Sequence, residues 1–220
     1  MKFIDLHQDL MSHLRFGADI GQPEQVSVVA LQESDVDLVV ATAFPLPPDD
    51  DQSHERVPAL ITEEIKLYQQ LAVEQGWSII RTADDLSLPE LKLLLHIEGL
   101  NVFNGSPTAW EQLDYVGVRS VGTHWNIANL LGGGTLQPEL SLTGLGADVI
   151  CYLESKQMVF DMAHMGRQTW WDAAQLVTRP LYVSHGNADA VCPSPRNYTD
   201  EQLRRIAATE GVIGVFFSNP

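Results

Sequence analysis

Cysteine is nearly absent from this chain: Cys151 and Cys192 are the only two among 220 residues. Two cysteines do not make a disulfide scaffold, so the fold must rest on a packed core. Both read as packing residues. Basic residues are scarce as well, with 13 Lys and Arg against 29 Asp and Glu and a formal net charge of −16. Without a basic patch, neither nucleic acid nor an anionic membrane is expected as a partner. Long apolar runs are missing too. No stretch approaches the roughly 20 residues that cross a bilayer. The opening MKFIDLHQDL is too short in apolar residues, and too interrupted by acids, for a signal peptide. The expectation is a soluble, cytoplasmic protein. A hydrophobic content of 45% supplies enough for one sizeable core, so residues 1–220 are expected to form a single domain.

What the chain does have is a series of apolar runs that end in polar groups. The stretch from Met158 to Asn197 shows the pattern best. MVFDMAH is an apolar run ending in His164. RQTWWDAAQLV has helical spacing, with Trp170, Ala173, Ala174 and Val177 on one face. PLYVSH is a second run, ending in His185. Two strands joined by a helix predict a parallel unit, whose two C-terminal ends emerge at the same rim. Open α/β sheets and (β/α) barrels place their chemistry at that rim.

The same reading applies along the rest of the chain. Lys2–Leu6 is a short strand running into His7-Gln8-Asp9, where alternation lets His7 and Asp9 face one spot. Asp37–Phe44 is a buried-type strand, followed by a Pro- and Asp-rich loop near His54. Pro58–Gln75 is an amphipathic helix with Ile61, Ile65, Tyr68 and Ala72 inward and Gly76 as its stop. Leu91–Ile97 is a strand ended by Glu98, with His96 as a core histidine beneath the rim. Val116–Thr123 is a strand ended by His124. Gly132–Gly134 read as a flexible rim loop, because no phosphate-binding strand–loop–helix pattern surrounds them. Gly144–Lys156 is a helix facing inward through Leu145, Val149 and Leu153. Thr199 and Gln202 form a capping box for a helix with Leu203, Ile206 and Ala207 inside, and Val212–Phe217 is a seventh strand.

Seven strands alternating with helices predict a parallel α/β fold. Five of the strand ends carry ligand-type groups: His7 with Asp9, Glu98, His124, His164 and His185. Chance placement does not favour strand ends in this way. Imidazoles and carboxylates converging at one rim predict a metal site.

Several segments resemble the membrane dipeptidase (renal dipeptidase) family of zinc peptidases. They are HQD at 7–9, IEG at 97–99, GVRSVGTH at 117–124, LTGLGADV at 142–149, MVFDMAH at 158–164, and PLYVSH with PRN at 195–197. The resemblance implies a (β/α)8 TIM-like metal-dependent hydrolase barrel, of which this chain carries about seven βα units. It implies two Zn²⁺ ions, one held by His7 and Asp9, the other by His164 and His185, with Glu98 bridging. It also implies hydrolysis of a dipeptide by a hydroxide held between the ions, with His124 and Arg196 binding substrate. The chain departs from the family pattern at Gln8, Ala163 and His96. It also ends before the eighth strand, where the family carries a further aspartate, so the barrel is expected to be incomplete and a homo-oligomer is an open expectation. Two alternatives remain: another amidohydrolase-like metal hydrolase, and an inactive truncated homologue. Arg196 separates the first of these from a dipeptidase, because only a substrate with a free carboxylate needs it.

Overall fold

The structure, a computed structural model, describes residues 2–15, 21, 27–44, 57–99 and 107–217. His54 and the loop beside it lie outside the described residues. The chain divides into two compact units, Met1–Glu98 with Trp110–Ser120, and Gly99–Ala109 with Val121–Pro220.

The first unit is built on parallel strands. β1 (Phe3–Gln8) pairs with β2 (Val36–Ala43), and β2 pairs with β4 (Lys92–Glu98) in unbroken register from Leu38↔Lys92 to Ala43↔Ile97. β2 and β4 are buried along nearly their whole length. That is how parallel strands covered on both faces read: as continuous apolar runs without alternation. The sequence reading omits β3 (Ser78–Ile79), which pairs with the start of β4. Two residues are too few to leave a periodic signature. α1 (Leu10–Arg15) and α2 (Val28–Glu33) are six-residue helices, also too short for one.

α3 (Val57–Gln75) packs on β2, β3 and β4 and buries Ile61, Ile65, Tyr68 and Ala72, the face its spacing predicts. Gly76 stops it at φ +67°, in the left-handed region that glycine enters without penalty. Tyr68 Oη lies 2.9 Å from Thr42 O and 3.1 Å from Gln8 O, and it accepts from Met11 N at 3.3 Å. One buried phenol therefore ties the ends of β1 and β2 to α3. Burial raises its pKa well above the ordinary tyrosine value. Lys92 is 1% exposed and meets Asp37 at 3.1 Å while donating to the carbonyls of Leu88 and Glu90. A buried ammonium is tolerable only with such partners.

α4 (Pro107–Val116) replaces the start of the strand expected at Val116. Gly117, at φ +91°, ends that helix, and β5 is only Ser120–Gly122. Apolar residues at 113, 116 and 118 serve a helix end and a strand start equally well, so periodicity cannot separate them.

In the second unit, β5, β6 (Val159–Asp161), β7 (Tyr182–Val183) and β8 (Val212–Ile213) are neighbours in chain order. β6 pairs with β7 at Asp161↔Tyr182, and β7 with β8 at Tyr182↔Val212 and Val183↔Ile213, all parallel. The intervening helices are α5 (Gly144–Ser155), α6 (Arg167–Leu176) and α7 (Asp200–Ala208). Thr143 caps α5 by accepting from Gly146 N, and Thr199 and Gln202 form the expected capping box on α7. The inward stripe of α5 is Gly146, Val149, Ile150 and Leu153 rather than one led by Leu145. Ala207 of α7 is exposed, and Gln202 takes an inward place beside Ile206. Trp170 is fully buried, edge-on to Trp171 and Tyr198. Cys151 is exposed and Cys192 half-buried, neither in a disulfide, so Cys151 is not the packing residue expected.

Gly132–Gly134 are not an open rim loop. They are buried, and added Cβ atoms would meet Thr169 Cγ2 at 2.7 Å, Gln137 O at 2.5 Å and Asn126 O at 2.4 Å respectively. The glycines are there because the Thr169 side chain packs against Gly132 and backbone oxygens press on Gly133 and Gly134, not because the segment needs freedom.

Among the described residues, no helix is long and apolar enough to cross a membrane.

Candidate metal centre

The first unit carries His7, Asp9 and Glu98. β1 runs through His7 to Gln8, and Asp9 follows it directly. His7 Nε2 lies 3.5 Å from Asp9 Oδ2, so the two side chains do face one spot. His7 Nδ1 lies 3.4 Å from Thr42 Oγ1. Asp5, one pleat back, steadies this end of the strand: its carboxylate accepts from His7 N and Gln8 Nε2, each at 3.1 Å. Burial raises the pKa of Asp5, and its hydrogen bond from His7 N opposes that.

Glu98 is the last residue of β4 and is 5% exposed. Gly99 follows at φ +82°, turning the chain immediately after the carboxylate. His96 is a fully buried core histidine, with Nδ1 2.8 Å from Ser120 Oγ and its ring edge-on to His7 at 5.7 Å.

The second unit carries His124, His164, His185 and Arg196, and here the geometry is most specific. His164 and His185 present Nε2 to Nε2 at 2.9 Å. Their remote nitrogens decide which protons they hold. His164 Nδ1 lies 2.8 Å from Asn126 Oδ1, an acceptor that also receives Thr135 Oγ1 at 3.0 Å. His185 Nδ1 lies 2.7 Å from Ser184 Oγ, whose own hydroxyl donates to Asp161 Oδ2 at 2.5 Å. Each Nδ1 thus faces an oxygen, and the two Nε2 atoms face each other.

Arg196 stands beside the pair, with Nη2 3.0 Å from His164 Nε2 and its guanidinium 5.8 Å from the Phe216 ring centre. A metal ion fits the same donor set. Two imidazole Nε2 atoms 2.9 Å apart are near enough for one ion to reach both, and imidazole nitrogen suits zinc. Metal-bound imidazoles also commonly give their second N–H to an oxygen acceptor, as both do here. His164 adopts φ +62° and Asn126 φ +47°, left-handed conformations in non-glycine residues. Such strain costs on the order of 1–3 kcal/mol and concentrates at functional sites.

His124 follows β5 and is fully buried, with Nδ1 2.8 Å from Thr123 Oγ1. Burial pushes its pKa down to about 4, with the neighbouring His164 adding to the effect and the Gly132 backbone opposing it.

Three residues of these networks escape a reading based on strand ends. Asp161 is a carboxylate inside the apolar run MVFDMAH, and an acid in such a run is itself a signal. Ser184 and Asn126 leave no signal, because their roles depend on what the fold brings next to them.

The family model described as "Membrane dipeptidase (Peptidase family M19)" matches residues 1–220. The chain belongs to that family. An uncharacterised protein of Klebsiella pneumoniae encoded in the pqqA 5′ region is 41% identical over 136 residues, covering 59% of this chain and 50% of that protein. The dipeptidase AclJ of Aspergillus oryzae is 26% identical over 123 residues, covering 54% of this chain and 29% of that protein. The chain thus spans about half the length of the first curated relatives it matches. Among solved structures, a metallopeptidase from Rhodobacter sphaeroides, liganded with a phosphinate mimic of the dipeptide L-Ala-D-Ala, superposes with TM-score 0.85 at 22% identity, covering 98% of this chain and 73% of that one. A family M19 dipeptidase superposes with TM-score 0.86 at 22% identity, covering 98% and 72%. The M19 chain shares their fold, the TIM-like (β/α) barrel class.

Proposed function

We propose that this M19 protein is a zinc-dependent dipeptidase. The observation that carries the reading is the His164–His185 pair, two imidazoles whose Nε2 atoms stand 2.9 Å apart, in a chain that matches the dipeptidase family over residues 1–220. His7, Asp9 and Glu98 would serve as metal ligands in the first unit, and His164 and His185 in the second. Bound zinc supplies Lewis acidity and a water acidified towards neutral pH.

The chain's own residues supply the rest. Arg196, half-buried beside the histidine pair, forms a charge-assisted pair with the C-terminal carboxylate of the dipeptide. Phe216 supports its guanidinium from the side. His124 stays neutral at physiological pH because burial holds its pKa near 4. With Thr123 Oγ1 donating to Nδ1, its proton sits on Nε2, where it serves the carbonyl oxygen as negative charge builds there. Asn126 and Ser184 hold the two imidazoles from behind. The dipeptide-mimic ligand of the Rhodobacter sphaeroides structure supports this substrate class.

The test is hydrolysis of unblocked dipeptides by the purified protein after zinc loading, with zinc content measured on the same sample. Activity that rises with zinc and disappears with chelation is expected. Full zinc content with no cleavage of any dipeptide would remove the dipeptidase reading.

A further inference from the structure

Asp161 is 2% exposed and belongs to neither the ligand set nor the substrate contacts proposed above. Its Oδ1 accepts from the backbone N–H of Ala163 at 3.0 Å and of Ser184 at 2.9 Å. Its Oδ2 accepts from the hydroxyl of Ser184 at 2.5 Å, the short length of a charge-assisted O–H···O⁻ bond. Ser184 is equally buried, and its Oγ lies 2.7 Å from His185 Nδ1.

A serine hydroxyl has one proton. With that proton donated to Asp161, Oγ faces His185 only as an acceptor, so Nδ1 must be a nitrogen that carries hydrogen. We propose that Asp161, acting through Ser184, is a positioning residue that locks His185 in the tautomer whose Nε2 bears the lone pair. The same carboxylate, at the end of β6, stitches it to β7 by accepting from the N–H of Ser184, which follows β7 directly. One buried group therefore sets both the place of the imidazole and its protonation. The value of the lock for metal binding rests on the zinc reading above; the tautomer itself does not.

Two substitutions separate the lock from simple packing. Asp161→Asn keeps the shape but puts an N–H donor where Oδ2 stood. Ser184 Oγ then accepts from that amide and turns its own proton to His185 Nδ1, which moves the ring hydrogen to Nε2. Ser184→Ala removes the relay, and Ser184→Thr restores a hydroxyl.

The experiment is a long-range ¹H–¹⁵N imidazole spectrum of the metal-free full chain near neutral pH, together with zinc affinity by competition against a chromophoric chelator. In the unmodified protein His185 should carry its proton on Nδ1, and in Asp161→Asn on Nε2. Ser184→Ala should weaken zinc binding by roughly 10–100-fold, the usual effect of removing an outer partner of a metal-bound histidine, and Ser184→Thr should recover it. A proton on Nε2 in the unmodified protein would overturn the lock, as would Ser184→Ala keeping both the original tautomer and the original affinity. If Asp161→Asn does not fold, the two Ser184 variants still decide. If the unmodified protein takes up no zinc, the proposed function fails, and the spectrum alone still decides the lock.

Discussion

The Nε2 atoms of His164 and His185 lie 2.9 Å apart, although the residues are 21 positions apart in the chain. Each ring is turned by a different acceptor, Asn126 for one and Ser184 for the other. The close approach is therefore supported from behind both rings as well as by the contact between them. Five consequences can be measured.

Zinc should stabilise the protein. A ligand that binds only the folded state adds about 2.7 kcal/mol at a hundredfold excess over its Kd. For a chain of this size that corresponds to an increase in melting temperature of roughly 5–10 °C. Differential scanning fluorimetry with and without zinc, reversed by a chelator, measures it. An unchanged melting temperature at saturating zinc would contradict the site.

Glu98→Ala and His185→Ala should each lower the zinc content. Elemental analysis of the two variants after identical dialysis measures it. Full metal content in Glu98→Ala would remove Glu98 from the ligand set.

Arg196→Ala should slow cleavage of a free dipeptide far more than cleavage of the corresponding dipeptide amide. A charge-assisted bond to a carboxylate contributes about 1.5–3 kcal/mol, or roughly ten- to a hundredfold in kcat/KM. Equal losses on the two substrates would mean that Arg196 does not read the carboxylate.

His124 should make the metal-free protein lose stability in mild acid. Its pKa falls from 6.5 in the unfolded chain to about 4 in the fold. Between those values the unfolded state binds the extra proton. Stability is therefore fully present above about pH 6.5, and falls as the pH drops towards 4, by about 3 kcal/mol in all. His124→Gln, which does not titrate, should flatten that part of the melting-temperature profile. An unchanged slope would place the titration elsewhere.

Gly134→Ala should damage fold and site together. An added Cβ would sit 2.4 Å from Asn126 O, and Asn126 orients His164. Overpacking of this kind costs about 1–3 kcal/mol. Thermal melting should show that loss, and zinc affinity should fall with it. A variant with lowered stability but unaltered zinc affinity would show that Asn126 keeps its place.

The sequence alone determined the α/β class, because parallel strands covered on both faces must be apolar throughout, and β2 and β4 are. It also singled out the polar residues that close those runs, since a histidine or glutamate ending an apolar stretch stands out against it. Helix ends were legible where a side chain or glycine acts locally, as at Gly76 and Thr199.

Other features came only with the tertiary structure. Strand lengths were one: β6 covers three residues of MVFDMAH and β7 two of PLYVSH, because hydrogen-bonded pairing depends on neighbours that local composition does not name. The packing of Gly132–Gly134 was another, since glycine serves mobility and close backbone approach alike, and only the atoms opposite decide between them. The protons of the histidine pair were decided last. Asn126 lies 38 positions from His164 and Asp161 lies 23 from Ser184. Which imidazole nitrogen carries hydrogen is set by the acceptor placed against it, and folding alone puts that acceptor there.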